Sequence, residues 1–197
     1  MTWLLCDYGE VLCLPPTAED RAHLAAIAGW DPARGDFWSA YWVDRLAYDR
    51  ADLTAAEYWA GVLGRPPAPD QLDRLTAADA AGWLHPNPLT IEAVQRAGRR
   101  GLLLAIFSNA PIEVAQRIDA APWLAPFTKR FFSCYLRAVK PEPGAYQAVL
   151  EGLAARPEEV VFFDDKPANV AGAAAVGIDA RLFEDPAQLD AVSAGSA

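Results

Sequence analysis

Short apolar runs recur along the chain, and most of them stop at a polar residue. The first, Trp3 to Cys6, stops at a carboxylate, Asp7. Four later segments of similar length are predicted as further strands, at 102–107, 131–133, 160–163 and 179–182. Short apolar runs that end in turn signals are typical of strands buried within a parallel sheet. The pattern therefore predicts five strands, several with polar side chains where they end.

Helical segments separate these runs beyond residue 85. Asn87 followed by Pro88 indicates a helix start, and Gly101 indicates a helix end. Further helices are predicted at 111–120, 143–155 and 167–176. Strands and helices that alternate in this way are joined by right-handed crossover connections. We therefore predict an α/β fold, a Rossmann-like parallel sheet with helices on both faces.

The stretch 15–84 carries helical signals and no convincing strand. Helices are predicted at 17–30, 36–48, 54–64 and 70–83. Thr54 and Glu57, for example, have the spacing of a capping box, in which each side chain accepts a hydrogen bond from the other residue's backbone. We predict that residues 15–84 form a small all-helical cap. It is inserted after the first strand, between two parts of a core formed by residues 1–14 and 85–197.

One predicted helix of the cap carries an aromatic stripe. The stripe has the helical spacing that is typical of a face that packs against other helices: Trp38, Trp42, Arg45 and Leu46. We predict that this stripe belongs to the core of the cap. The alternative is that polar side chains of the same helix face a substrate pocket: Tyr41, Arg45 and Tyr48.

The amino-acid composition excludes several classes of protein for this chain. Of 197 residues, 53% are hydrophobic, which suffices for a large core and excludes a disordered chain. The net charge of −9 argues against nucleic acid or an anionic membrane as a partner. No apolar run reaches the roughly 18–20 residues of a membrane helix. The N-terminus carries no signal-like segment, so we expect a cytoplasmic protein, as a monomer or a homodimer.

Polar residues of complementary chemistry follow four of the predicted strands. Asp7, Ser108-Asn109 and Asp164-Asp165 come directly after strands, and Lys140 lies a few residues beyond another. Each alone is explained as a helix cap or a solvated loop residue. Ligands in open α/β sheets bind beyond the carboxyl ends of the strands. The joint occurrence of these residues there indicates a common site.

The charges of such a site favour a metal ion. Three carboxylates that converge on one crevice repel one another and raise each other's pKa unless a cation intervenes. Mg²⁺ prefers carboxylate oxygens, waters and phosphate as ligands. A hydroxyl, an amide and a lysine bind the remaining phosphate oxygens, and an aspartate is able to attack phosphorus. The residues therefore indicate metal-assisted phosphoryl chemistry.

Four short motifs resemble, in order and spacing, those of the haloacid dehalogenase (HAD)-like hydrolase superfamily. They are Asp7-Tyr8-Gly9-Glu10-Val11, Ser108-Asn109, Lys140-Pro141, and Asp164-Asp165 with Asn169. The resemblance covers essentially the whole chain, and the cap has the position of that family's first cap type. It implies a Mg²⁺-dependent phosphatase that acts on a small phosphorylated metabolite through an aspartyl-phosphate.

The resemblance also implies roles for individual residues. Asp7 would be the nucleophile, and Ser108 and Lys140 would complete the catalytic set. Ser108, Asn109 and Lys140 would bind the phosphoryl group. Mg²⁺ would be held by Asp7, the backbone carbonyl of Gly9 and Asp165, with Asp164 acting through water. Asn169 would support these ligands.

One position departs from the family pattern. Phosphatases of the family usually have a second aspartate two residues after the nucleophile, as general acid and base, and this chain has Gly9 there. General acid–base catalysis is typically worth ~10²–10⁴-fold. We therefore expect slow hydrolysis of esters with poor leaving groups. Glu10 is the nearest carboxyl group in the sequence that could substitute.

Two other functions remain open at this point. The missing acid would also suit a family member that retains the pocket but serves as a binding or regulatory protein. A third possibility is a hydrolase of a non-phosphate substrate such as a halogenated acid, although metal-free dehalogenation has no use for the extra charge of Asp164-Asp165.

Overall fold

Five parallel strands form one sheet in the computed structural model, which describes residues 1–193. The strands are β1 (Trp3–Cys6), β2 (Leu103–Ser108), β3 (Lys129–Phe132), β4 (Val160–Asp164) and β5 (Asp179–Leu182), in the order β3-β2-β1-β4-β5. The fold class predicted from the sequence is confirmed. The end of the predicted core segment, 194–197, lies outside the described residues.

The register of the sheet brings the candidate residues to one edge. Cys6 at the end of the central strand β1 pairs with Ile106 of β2 and with Phe163 of β4. Because all three strands run in the same direction, Asp7, Ser108 and Asp164 follow at neighbouring positions of the carboxyl edge. Strand β3 begins and ends earlier than its predicted bounds of 131–133.

Ten α-helices surround and extend the sheet within residues 1–193. They are α1 (Ala18–Ala28), α2 (Phe37–Val43), α3 (Arg45–Asp49), α4 (Ala55–Leu63), α5 (Pro69–Gly82), α6 (Pro88–Arg99), α7 (Ile112–Asp119), α8 (Ser133–Leu136), α9 (Pro143–Leu153) and α10 (Pro167–Ala175). Short 3₁₀ turns occupy Pro32–Arg34, Pro122–Leu124, Pro157–Glu159 and Pro186–Ala191. None of these helices is long and apolar enough to cross a membrane.

Several helix starts follow the capping signals of the sequence, whereas α5 begins at Pro69, after an Ala68 N-cap without a side-chain hydrogen bond, and not at Asp70. Thr17 and Thr54 form complete capping boxes, and the Asn87 side chain accepts a hydrogen bond from the backbone of Thr90. The helix predicted over 36–48, however, is divided at Asp44, which has φ −107° and ψ 15°. Aspartate is unfavourable inside a helix because its side chain competes for backbone hydrogen bonds. The chain therefore turns between α2 and α3.

The exposure of two of its residues corrects the prediction for the aromatic stripe. Trp38 does pack against the apolar cluster of the predicted cap, which is built around Trp59 and Tyr41. Trp42 and Leu46, in contrast, are 49% and 44% exposed. They lie on the wall of a cavity. The helical spacing of the stripe therefore predicted packing correctly for Trp38 but not for Trp42 or Leu46.

The two faces of the sheet are covered by separate apolar layers. Alternate residues of β1 contribute to each layer, Leu4 and Cys6 to one and Trp3 and Leu5 to the other. The first layer also includes Ala80, at the end of α5. The helical segment predicted as a cap thus packs on the side of the sheet that carries Leu4 and Cys6. Its exact bounds stay a prediction.

Two connecting segments, which lie side by side, join this helical segment to the sheet. The Leu14 N–H donates to the His85 carbonyl at 2.7 Å, and the Asn87 N–H donates to the Leu12 carbonyl at 2.9 Å. The Tyr8 hydroxyl donates to the Trp83 carbonyl at 2.6 Å. The entry and exit of the segment are therefore held side by side, directly behind Asp7.

Candidate active site

Asp7 is buried at the end of the central strand, where the carboxyl edges of three strands meet. Its main-chain N–H donates to the Phe163 carbonyl at 2.8 Å, which extends the β1–β4 ladder by one residue. The Tyr8 N–H donates to Asp7 Oδ1 at 2.6 Å. The side chain is 8% exposed and borders the cavity described below. Hydrogen bonds of the backbone fix the position of Asp7, and its Oδ2 is left for a ligand.

Lys140 lies between two carboxylates. Its Nζ is 2.7 Å from Asp7 Oδ1 and 2.6 Å from Asp164 Oδ2, and it donates to the Phe107 carbonyl at 3.0 Å. The lysine side chain is 1% exposed. Burial alone would lower the pKa of Lys140, but the two carboxylates outweigh that effect and raise it. The residue is therefore a fixed, permanently charged cation.

Asn109 holds the loop that carries Lys140. Its Nδ2 donates to the Lys140 carbonyl, and its Oδ1 accepts from the Lys140 N–H, both at 2.9 Å. Both ends of the amide side chain therefore hold the lysine loop. Asn109 also borders the cavity, and its contact with a phosphoryl group stays a prediction. Ser108, which is 4% exposed, borders the cavity beside it.

Asp164 is fully buried and its oxygens are already bonded. Besides Lys140, it accepts hydrogen bonds from Asn169 Nδ2 at 2.9 and 3.0 Å and from the Lys166 N–H at 2.9 Å. Asn169 in turn is positioned by Tyr146, whose hydroxyl donates to the Asn169 carbonyl at 2.7 Å. Asp164 thus orients the lysine and the loop, which suits the indirect metal role predicted for it.

Asp165 differs from Asp164 in having an unpaired oxygen. Its Oδ1 is buried and has no hydrogen-bond partner among the described residues. Asp7, Asp164 and Asp165 each offer one carboxylate oxygen, and these oxygens lie within 4.8 Å of one another. A buried carboxylate oxygen without a partner is costly, and a hard cation removes that cost. The donor set therefore fits Mg²⁺.

Electrostatics point to the same deficit of positive charge. Burial raises the pKa of Asp7, Lys140 opposes this shift, and the charges of Asp164 and Asp165 add to it. Burial also raises the pKa of Asp165; Lys166 opposes this shift, and the charges of Asp164 and Glu10 add to it. Lys140 and Lys166 together carry one charge fewer than the three carboxylates, so a further cation would stabilise the ionised forms.

A cavity of about 480 Å³ opens above these residues. Its floor consists of Asp7, Ser108, Asn109, Lys140 and Asn169. Its upper wall comes from the predicted cap and combines apolar and charged side chains: Trp42, Arg45, Leu46, Asp49 and Trp83. This volume accommodates a phosphoryl group and a small organic group.

Gly9 and Glu10 border the same cavity, in different backbone conformations. Gly9 does not have a positive φ, and a Cβ at this position would lie 3.5 Å from Trp83 Cζ3, an ordinary contact. Glu10 has a φ of 60° and is exposed. Its charge acts on Asp165, so the structure brings Glu10 to the side of the cavity where the carboxylates cluster.

The upper wall contains residues that the sequence did not single out. Of the three side chains considered for a substrate pocket, Arg45 borders the cavity, whereas Tyr41 and Tyr48 are buried within the cap. Asp49 also borders it and was missed. The signal that could have found it is its position four residues after Arg45, the spacing of a helical ion pair.

Helix α10 approaches the lysine loop at a residue without a side chain. A Cβ on Gly172 would lie 2.6 Å from the Pro141 carbonyl oxygen and 3.0 Å from Tyr146 Cε2. Real Cβ atoms essentially never come within 3.0 Å of such atoms. Glycine at 172 therefore lets the helix pack directly against the segment that begins with Lys140.

The fold and this site define a hydrolase of the α/β class, with its reactive groups at the carboxyl edge of a parallel sheet. A sequence model of haloacid dehalogenase-like hydrolases matches residues 16–177. The chain belongs to the haloacid dehalogenase-like hydrolase family, and the resemblance seen in its motifs is confirmed.

Individual relatives support the same assignment. Phosphatase MT3486 of Mycobacterium tuberculosis is 30% identical over 118 residues, which are 59% of this chain and 54% of that protein. A phosphorylated carbohydrates phosphatase of Thermotoga maritima is 31% identical over 104 residues, 51% of this chain and 46% of that protein. The chain therefore spans about half the length of these curated relatives.

A solved structure shares the fold over almost its whole length. A HAD family enzyme of Bacteroides thetaiotaomicron superposes with a TM-score of 0.78 at 21% identity and covers 96% of this chain and 98% of that one. The wild-type form of that enzyme in complex with magnesium and inorganic phosphate superposes with a TM-score of 0.74 at 20% identity, over 93% and 94% of the two chains.

Proposed function

We propose that this protein is a Mg²⁺-dependent phosphatase that hydrolyses a small phosphorylated metabolite through an aspartyl-phosphate on Asp7. The observation that carries the proposal is the arrangement of Asp7, Asp164 and Asp165 within 4.8 Å, with Lys140 in contact with the first two. The names of the Mycobacterium and Thermotoga relatives, and the magnesium and phosphate bound to the Bacteroides enzyme, support it.

The residues have complementary roles in the proposed reaction. Asp7 attacks phosphorus with the oxygen that faces the cavity, since its backbone and Lys140 fix its orientation. Lys140 and Ser108 hold the phosphoryl oxygens. Asp7, Asp165 and the Gly9 carbonyl would hold Mg²⁺, with Asp164 behind them. When bound, Mg²⁺ supplies the positive charge that the carboxylates and the phosphate require.

A metal-dependent reaction agrees better with this site than the two other functions considered. Metal-free dehalogenation leaves the buried Asp165 Oδ1 without a partner. A pocket that only binds would have no need for a nucleophile held against a buried lysine. Gly9 provides no proton for the leaving group, so cleavage of alkyl phosphates requires a proton from another group, whereas aryl phosphates need none.

The direct test is hydrolysis of a panel of phosphate esters with Mg²⁺ and with EDTA. The panel includes p-nitrophenyl phosphate, sugar phosphates and other alkyl phosphates. We expect release of phosphate that depends on Mg²⁺. A folded protein that cleaves none of these esters at millimolar Mg²⁺ would leave the binding or regulatory function in place of the enzyme.

Mg²⁺ is expected to raise the melting temperature of the protein. A ligand that binds only the native state stabilises it by RT ln(1 + [L]/Kd), about 2.7 kcal/mol at a hundredfold excess over Kd. Asp165→Asn should remove most of this response, because Asp165 provides the unpaired oxygen. Asp70→Asn is the control, since Asp70 is exposed at the start of α5. An unchanged melting curve of the wild-type protein would contradict the metal site.

A further inference from the structure

Asp49 is another buried carboxylate on the cavity wall. Unlike the cluster at the strand ends, it comes from a helix of the predicted cap. It ends helix α3 of the cap and is 6% exposed. Its Oδ1 accepts a hydrogen bond from Arg45 Nε at 2.8 Å. Its Oδ2 accepts none from residues 1–193. Because Asp49 borders the cavity, that oxygen is available to a bound molecule.

The position of Asp49 is fixed relative to the loop after β2. The Ser133 hydroxyl donates to the Asp49 carbonyl at 2.6 Å and accepts from the Ala110 N–H at 3.0 Å. Ala110 directly follows Ser108 and Asn109. A single side chain therefore connects the cap residue to the loop proposed to bind the phosphoryl group. Asp49 belongs to the reaction chamber, although it is far from that loop in sequence.

The surroundings of Asp49 favour a carboxyl group that retains its proton at higher pH than usual. Burial raises the pKa of Asp49, Arg45 opposes the shift, and Asp79 adds to it. Lys166, at the start of α10, also acts on Asp49 and lowers its pKa. Glu10, the substitute acid considered from the sequence, is exposed and acts on Asp165 instead.

We propose that Asp49 is the general acid and base of this protein and replaces the aspartate that position 9 lacks. This inference rests on the proposed phosphatase function. As the bond between Asp7 and phosphorus forms, the bond to the leaving oxygen breaks, and Asp49 Oδ2 gives its proton to that oxygen. In the second step Asp49 takes a proton from the water that attacks phosphorus, and Asp7 and inorganic phosphate are released. Arg45 holds Oδ1, which leaves Oδ2 for the proton transfer.

The test compares leaving groups in Asp49→Asn and in a matched control. p-Nitrophenyl phosphate has a leaving group that needs no proton, whereas an alkyl phosphate needs one. For Asp49→Asn we expect kcat/KM on alkyl phosphates to fall by about 10²-fold, the low end of a general-acid contribution, with p-nitrophenyl phosphate changed less than about threefold. Asparagine retains an acceptor for Arg45.

Asp79→Asn is the matched control. Asp79 is equally buried and accepts from the same arginine, at 3.0 Å from Nη1, but it is not part of the cavity wall. It should lower both activities together or neither. If Asp49→Asn also lowers both equally, or changes neither, Asp49 is only a binding or packing residue and the inference is wrong.

Two further measurements keep the inference testable whatever the stability of Asp49→Asn. In the wild-type protein, the ratio of alkyl to aryl kcat/KM should fall as pH rises and Asp49 loses its proton; a constant ratio would contradict its role. In the Asp49→Asn background, Gly9→Asp should recover alkyl activity. If the wild-type protein cleaves neither ester with Mg²⁺, the phosphatase function itself fails, which is a different result from uniform loss in the variant.

Discussion

Asp7→Asn is expected to abolish phosphatase turnover while the protein stays folded. The variant has no carboxylate to attack phosphorus, and removal of a covalent nucleophile costs roughly 10⁴-fold or more in kcat. Asparagine is nearly isosteric, and its oxygen still accepts from the Tyr8 N–H and Lys140. The measurement is Mg²⁺-dependent hydrolysis of p-nitrophenyl phosphate, the least demanding ester. Activity close to that of the wild type would show that the nucleophile lies elsewhere.

The same variant should be more stable than the wild-type protein when metal is absent. Burial raises the pKa of Asp7 in the folded chain above its ordinary value of 3.8, so ionisation of Asp7 disfavours folding. This cost is absent below about pH 4 and grows as the pH rises through the raised pKa. Asp7→Asn removes it. We expect a higher melting temperature at pH 8 in EDTA, by roughly 2–4 °C for each kcal/mol, and no gain at pH 4.

Lys140→Met is expected to have the largest effect on stability. Lys140 is 1% exposed and lies within 2.7 Å of two carboxylates. Removal of one partner from a buried ion pair costs about 3–5 kcal/mol, because the remaining charge is left uncompensated. The melting temperature in EDTA should therefore fall by roughly 10 °C, and activity should be lost as well.

Mg²⁺ distinguishes this explanation from a simple packing defect. If uncompensated charge is the cause, millimolar Mg²⁺ should restore a larger share of stability in Lys140→Met than it adds to the wild-type protein. Lys129→Met is the control, since Lys129 is exposed on β3 and its loss should change the melting temperature little. A Lys140→Met protein as stable as this control would contradict the proposed charge balance.

The strand ends could be read from the sequence because a parallel sheet collects them at one edge. Asp7, Ser108 and Asp164 are far apart in the chain, but each directly follows an apolar run, and register brings them together. The identity of the family followed from the same residues. Strand ends and helix caps depend on residues that are close together in the chain, so they can be predicted from a linear pattern.

The upper wall of the cavity depends on interactions that a linear pattern does not reveal. Asp44 divides a continuous helical pattern, and Trp42 and Leu46 line the cavity instead of the predicted core. Asp49 acquires its environment from Arg45 and from Ser133, which is 84 residues away. Similarly, nothing in the sequence indicates that the Asn109 side chain is used by the backbone of Lys140.

The contact of Gly172 with Pro141 makes position 172 sensitive to mutation, although glycine takes no part in the chemistry. Any larger residue at 172 pushes helix α10 away from the lysine loop, or displaces that loop from Asp7 and Asp164. A scan of variants would therefore rank position 172 beside the nucleophile, although it has no functional group. The positions of helix α10 and of the Lys140 loop depend on each other. A designer who transplants the Lys140 loop to another sheet must transplant the bare backbone of residue 172 with it.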